Sequence, residues 1–224
     1  MLGRGDRRLL VSAHRHGNDL ALLAAAEASG VDMVEVDVHL FGGWLEARHE
    51  KTVGPVPLVF ERGVWRLQWN PPRLRLDAVL ATMAADTRLH VDLKGWDRRL
   101  SRRVAKELNG RSFLVSSRVW WLLGPFRQLE GVQVVRSLGA RWQRWLFLRW
   151  VRRGSADGVA IRSDLLSPRL ALAIKERASL LLVWRVNDRA HAEQLRSWGV
   201  DGVVVDNLDL AVELLTSYQG PEPD

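Results

Sequence analysis

The stretch that decides the fold runs from Leu9 to Val38. It opens with Leu9-Leu10-Val11-Ser12-Ala13-His14-Arg15, continues through the alanine-rich segment Asp19–Ser29 and Gly30, and closes with Met33-Val34-Glu35-Val36-Asp37-Val38. The two outer pieces are short apolar runs of strand length. The middle piece has helical spacing and a glycine stop. A helix between two strands is a crossover, and a crossover makes the strands parallel. Both strands end in charge. Unpaired charge is costly to bury, so these ends mark a solvent-facing rim.

The same unit recurs along the chain. Trp44–Arg48 reads as an extended piece after the Gly42-Gly43 turn, and Val64–Leu67 as a strand with a local partner. Further strands are expected at Leu89–Leu93, Ser112–Ser116, Val132–Ser137, Gly158–Ile161, Leu181–Val186 and Gly202–Val205. Helices are expected at Asp77–Ala85, Arg98–Leu108, Trp120–Leu129, Arg141–Arg152, from Ser167 (an N-cap with Pro168 at N1), Arg189–Trp198 and Leu208–Leu215. Eight strand–helix units predict an α/β chain closed into a single (β/α)₈ barrel over residues 1–224, with a frayed tail at 219–224. The competing architecture is an open doubly wound sheet, but the first βα turn lacks a Gly-x-Gly-x-x-Gly phosphate loop.

Composition narrows the chemistry. The 224 residues are 47% apolar and 26% charged, the balance of a globular protein. There is no cysteine, which excludes disulfides, thiolate metal sites and cysteine nucleophiles. The net charge is +7, and only Lys51, Lys94, Lys106 and Lys175 among 33 basic residues are lysine. Coding bias is the first explanation of that arginine excess, and attraction to anionic partners is the alternative. No signal peptide or membrane-length apolar window is read, so the expected location is cytoplasmic, with membrane-peripheral contact open.

Glu35 and Asp37 lie two apart on one strand and share a face. Alone, such a pair serves equally well to hold a cation or to pair with arginines. Asp92, at the end of the third main strand, tips the balance toward one divalent ion. Three carboxylates without imidazole or thiolate at ligand spacing indicate Mg²⁺ or Ca²⁺ rather than zinc. His14 and His49 are the candidate proton-transfer pair. Arg15 and Lys94 are the candidate anion binders, with a structural Lys94–Asp92 pair as the alternative. Of the other histidines, His39 and His90 share faces with Asp37 and Asp92, His16 follows His14 closely, and His191 sits on a late helix.

Together these motifs resemble the glycerophosphodiester phosphodiesterases, a superfamily shared with sphingomyelinase D and lysophospholipase D. The resemblance rests on His14-Arg15, Glu35-x-Asp37, His49, Asp92-x-Lys94, Val183-Trp184-Arg185-Val186-Asn187 and Gly199-Val200-Asp201-Gly202-Val203-Val204-Val205-Asp206, and spans about Leu9 to Leu215. It implies a TIM barrel that cleaves glycerophosphodiesters to an alcohol and glycerol 3-phosphate. By resemblance, His14 and His49 are catalytic, and Glu35, Asp37 and Asp92 hold Mg²⁺ or Ca²⁺. Arg15 and Lys94 contact phosphate, and Trp184 lines the pocket. The chain departs from the usual family pattern in five ways. His16 interrupts His-Arg-Gly, the Pro-Glu-Asn-Thr tetrapeptide is missing, Glu50 follows His49 in place of Asp, and Asp92 replaces Glu. The insertion after His49 is also short. The Asp-Leu-Lys form resembles the lysolipid branch, so a lysolipid phosphodiester is the alternative substrate.

A different class of reading is a catalytically weak barrel that binds phospholipid. The segment Arg141–Arg153, basic and rich in tryptophan, is either an outer barrel helix or a contact with anionic membrane. Trp120-Trp121-Leu122-Leu123 adds to the latter. No nucleic-acid partner is expected, since no recognised binding motif is present.

Overall fold

The computed structural model describes residues 8–52, 58–61, 64–67, 73–143, 147 and 156–217. Among them, twelve strands follow in chain order: β1 Leu10–Ala13, β2 Met33–Phe41, β3 Trp44–Ala47, β4 Lys51–Thr52, β5 Leu58–Glu61, β6 Val64–Leu67, β7 Leu89–Leu93, β8 Phe113–Ser117, β9 Val132–Leu138, β10 Ala156–Arg162, β11 Ala178–Val186 and β12 Gly202–Val205. Eight of them form a parallel barrel in the order β1, β2, β7, β8, β9, β10, β11, β12, and the β1–β2 pairing closes it. Ser12 opposite Met33 and Ala13 opposite Val34 set the closing register. The predicted (β/α)₈ architecture is therefore the one found.

The helices on the outside are α1 Leu20–Ala28, α2 Leu76–Thr82, α3 Arg98–Glu107, α4 Pro168–Lys175, α5 Arg189–Ser197 and α6 Leu208–Thr216. Their starts follow local chemistry. Asp19 caps α1 by accepting from Ala21 and Leu22 N–H at 2.8 and 3.0 Å. Ser167 caps α4 with Pro168 in the first turn, as read from the sequence.

Barrel strands are buried on both faces, which is why β2 is buried from Met33 to His39. Val34, Val36 and Val38 pack outward beneath the helices. Inside, Met33, Leu114, Val135, Ala160, Leu180 and Leu182 form a small apolar floor. Two residues further along the same inward faces the chemistry turns polar: Ser12, Glu35, His90, Ser116 and Ser137 are all buried. The barrel is thus filled with hydrocarbon below and polar groups above.

One expectation changes. Trp120–Phe126 is a 3₁₀ helix rather than an α-helix extending to Leu129. Pro125 supplies no N–H to an α-helical ladder and Gly124 is a poor helix former, so the segment closes in tighter turns instead. The strand at Val64–Leu67 has the local partner expected of it, in a three-stranded antiparallel sheet, β4-β5-β6, which follows His49 and whose other two members were not read from the sequence. The expected helix at Arg141–Arg152 and the tail at 219–224 fall largely outside the described residues, of which 141–143 and 147 are helical. Among the described residues, no helix is long and apolar enough to cross a membrane.

Candidate active site

Register carries the acids to one level. Asp37 on β2 lies opposite Asp92 on β7, and Asp92 lies opposite Ser116 on β8. Each points inward because the side-chain period along a strand is two. The result is that Glu35, Asp37 and Asp92 each offer an oxygen within 4.8 Å of the others. Lys94, just past the end of β7, enters the same space. Its Nζ is 2.7 Å from Asp37 Oδ1 as an ion pair, and it also contacts Asp92 Oδ2.

Burial governs how these groups titrate. Desolvation pushes Glu35 up to about 7, aided by the charges of Asp37 and Asp92 and opposed by His14 and Lys94. Desolvation acts the same way on Asp37, but Lys94 and the His49 contact outweigh it and hold this carboxyl well below the usual range. Burial alone lowers an ammonium. For Lys94 the three carboxylates reverse that and hold it above its ordinary value.

Both predicted histidines are anchored through the same ring atom. His14 Nδ1 contacts Asp206 Oδ1 at the end of β12. His49 Nδ1 is 3.0 Å from Asp37 Oδ2. A carboxylate at Nδ1 holds the ring proton there, which in the neutral ring leaves the lone pair on Nε2. His14 Nε2 is 3.4 Å from Glu35 Oε2. Desolvation lowers the His14 imidazole, yet the Glu35 charge and the Asp206 hydrogen bond outweigh it, so His14 is raised.

The approach of the loop after β1 explains how Asp37 is held. A Cβ at Gly17 would lie 2.7 Å from Val36 Cβ and 3.0 Å from Glu35 O, so only glycine permits this contact. Asn18 then donates from Nδ2 to Asp37 Oδ2 at 3.0 Å and accepts the Asp37 N–H at 2.8 Å. Beneath Asp92, Ser116 Oγ donates to Asp92 Oδ1 at 2.9 Å. His90 bridges Ser116 Oγ at 3.1 Å and Ser12 Oγ at 3.3 Å.

His90 carries a stability consequence. Burial pushes it down to about 4, against the pull of Asp92. An unfolded imidazole titrates near 6.5, so between pH 4 and 6.5 the unfolded chain takes a proton that the folded chain refuses. The contribution of His90 is complete above about pH 6.5 and is lost at ~1.4 kcal/mol per unit as pH falls toward 4. His39, pushed down to about 3 by burial, acts in the same sense. Glu35 opposes them, since its raised carboxyl favours the folded state in acid. Urea unfolding in chelator is therefore expected to show a flatter loss between pH 7 and 4.5 in His90→Gln than in the wild type. Parallel curves would contradict a neutral buried His90.

His14, Arg15, Glu35, His49, Asp92, Lys94 and Trp184 all line one pocket of about 990 Å³, with Asp37 fully buried beneath it. Arg118, Ser137, Arg185 and Asp206 complete the wall. Arg15 and Arg185 both hold left-handed backbones, with φ of 62° and 64°. Such conformations are uncommon for a residue with a Cβ and concentrate at ligand sites. Asp206 and Asn18 were not singled out from sequence. Asp206 carried a usable signal, because it ends the apolar run Val203-Val204-Val205 just as His14 ends β1. Asn18 carried none.

The residues present fit a hard divalent cation. The close ion partners of the three buried carboxylates include Lys94 at Asp37 Oδ1 and His14 Nε2 at 3.4 Å from Glu35 Oε2, yet Glu35 Oε2 accepts no hydrogen bond, an expensive state that a further cation relieves. Ligand distances of about 2.0–2.6 Å for Mg²⁺ or Ca²⁺ accommodate three oxygens this close together. Arg15 Nε and Trp184 Nε1 are likewise buried donors without a hydrogen-bond acceptor.

A parallel barrel whose mouth gathers acids, imidazoles and cations over one pocket at the C-terminal ends of its strands has the build of a barrel enzyme. The chain belongs to the glycerophosphoryl diester phosphodiesterase family, whose model matches residues 80–210. That match contains Asp92, Lys94 and Trp184, while His14, Glu35, Asp37 and His49 lie before it. Solved structures share the fold. A glycerophosphodiester phosphodiesterase from Thermotoga maritima superposes with a TM-score of 0.74 at 19% identity, covering 93% of this chain and 99% of the other. One from Parabacteroides distasonis gives 0.71 at 21% identity, over 95% and 99%. An Oleispira antarctica phosphodiesterase, solved with the product sn-glycerol-3-phosphate, gives 0.71 at 18% identity, over 95% and 98%. No curated protein matches the chain.

Proposed function

We propose that this protein hydrolyses glycerophosphodiesters to an alcohol and glycerol 3-phosphate, with two histidines moving the protons. The observation that carries the reading is the convergence of Glu35, Asp37 and Asp92 with two imidazoles, each anchored at Nδ1 by a carboxylate. The product found in the Oleispira antarctica enzyme supports glycerol 3-phosphate as the product class.

Glu35, Asp37 and Asp92 would hold one Mg²⁺ or Ca²⁺, which when bound supplies positive charge to the phosphoryl oxygens. Arg15 and Lys94 add charge from the protein side and orient the phosphate. With a cation among the carboxylates, the Lys94 ammonium is no longer their main counter-charge and is available to the substrate. One imidazole Nε2 takes a proton from the attacking hydroxyl, either water or a neighbouring substrate hydroxyl. The other donates a proton to the leaving alkoxide in line. Attack by a substrate hydroxyl gives a cyclic phosphate as the first product. Trp184 forms the pocket wall.

A lysolipid phosphodiester is the second reading. Two things favour it: the Asp-Leu-Lys form, and a pocket near the upper end of the roughly 300–1,000 Å³ range of small-molecule sites. A panel of glycerophosphocholine, glycerophosphoethanolamine, glycerophosphoglycerol and lysophosphatidylcholine, assayed with Mg²⁺ and with Ca²⁺, tests both. Release of glycerol 3-phosphate from the soluble diesters is the expected outcome. Turnover of the lysolipid alone would move the assignment to the lysolipid branch, and no turnover of any member would reject it.

A further inference from the structure

We propose that the rim formed by the loops after β7, β8 and β9 docks on an anionic phospholipid bilayer. Three tryptophans stand out there: Trp96 is 70% exposed, Trp121 51% and Trp142 63%. One exposed aromatic needs no explanation, but three on consecutive loops of one rim do. The three strands are adjacent and parallel, so the loops at their C-terminal ends are neighbours. The Trp96 and Trp121 rings lie 5.2 Å apart, tilted by 45°. Beside Trp142, Gln143 donates from Nε2 to the Arg118 carbonyl at 3.1 Å and accepts the Gly139 and Ala140 N–H groups at 2.8 and 3.0 Å. The loop carrying Trp142 is thereby fastened to the loop carrying Trp121.

Packing separates these rings from their apolar neighbours. Trp120 turns inward and donates from Nε1 to the Ser137 carbonyl at 3.1 Å, and Leu122 and Leu123 are buried. The run Trp120–Leu123 thus leaves one ring outside. Trp96, which the sequence did not mark, supplies the second.

Each outward ring stands close to the pocket wall. Trp96 follows Lys94 by two residues, Trp121 follows Arg118 by three, and Trp142 follows Gly139 by three. At Gly139 a Cβ would come within 3.1 Å of Arg118 Cδ and 3.3 Å of Trp184 Cζ2, both part of the pocket. Charge selects the occupant. In the loop stretches 95–99, 118–121 and 139–143 the cations are Arg98, Arg99, Arg118 and Arg141. The single acid is Asp97, paired with Arg99 at 3.0 Å. Tryptophan partitions to the headgroup level of a bilayer, and basic side chains near it are drawn to anionic lipid. Docking there turns the mouth toward headgroup phosphodiesters, a consequence that rests on the proposed function. The docking itself does not.

Flotation of the full chain with phosphatidylglycerol–phosphatidylcholine vesicles tests this. Binding is expected at low salt, weaker at high salt and weaker on pure phosphatidylcholine. The triple variant Trp96→Ser, Trp121→Ser, Trp142→Ser is expected to lose about tenfold in partitioning with an unchanged thermal midpoint and unchanged turnover of soluble glycerophosphodiesters. If the triple variant misfolds, Trp96→Ser alone is expected to lose about threefold. No binding by the wild type, or equal binding by the folded variant, would overturn the proposal; a protein partner would then be the remaining occupant. Vesicle binding without turnover of any phosphodiester would reject the proposed function and leave docking standing.

Discussion

Replacing His14 or His49 by alanine is expected to lower turnover of a glycerophosphodiester by about 10²–10⁴-fold, the usual contribution of a positioned acid or base. The fold should tolerate both changes, because each ring lies at the pocket wall rather than in the packed core. The two residues act on one proton inventory, so the double variant should be little worse than either single one. Asp206→Asn separates positioning from proton transfer. It keeps the shape beside His14 Nδ1 and leaves Glu35, the larger raising influence, in place, but removes the Asp206 contribution to the raised imidazole. Its pH–rate profile should therefore shift on the limb that His14 controls, while KM changes little. Near-native turnover in His14→Ala and His49→Ala, measured beside a thermal midpoint, would defeat the histidine mechanism.

The second large effect concerns the cation. Chelation is expected to bring turnover to background, with recovery on adding Mg²⁺ or Ca²⁺. Glu35→Gln should prevent that recovery at metal concentrations that saturate the wild type. This variant is a cleaner test than one at Asp37. Glu35 Oε2 accepts no hydrogen bond and has the His14 ring, 3.4 Å away, as its ion partner. Asp37 is tied to Asn18, His49 and Lys94. Removing the Asp37 carboxylate would take one of two paired carboxylates from the buried Lys94 ammonium and would also leave Asn18 and His49 without their partner. Activity unaffected by chelator, or a Glu35→Gln enzyme that responds to metal like the wild type, would rule out the acidic cluster as a required cation site.

Much of the fold was legible because barrel strands announce themselves twice: by an apolar run buried on both faces, and by the polar residue that ends it. Met33-Val34 running into Glu35 and Asp37, and Leu89-His90-Val91 running into Asp92 and Lys94, carry both signals, although β2 itself continues past the acids to Phe41. Period-two alternation also says which side chains share a face, so Glu35 with Asp37 and Asp92 with Lys94 could be paired on paper. The small β4-β5-β6 sheet was less legible. Its members are short, and their antiparallel pairing is local rather than set by the barrel. The 3₁₀ turn at Trp120–Phe126 shows another limit. Its apolar content resembles a helix, but Gly124 and Pro125 settle the hydrogen-bond pattern.

By itself the chain determines the repeating strand–helix units and the identity of the groups that finish each strand, because both follow from spacing along one backbone. Only the tertiary structure decides which of those groups meet. Asp37 opposite Asp92, Asp92 above Ser116, Asp206 against His14 and Asn18 beneath Asp37 join positions up to 192 residues apart. Strand register and barrel closure set those contacts, and a one-residue slip in register would turn each side chain to the opposite face.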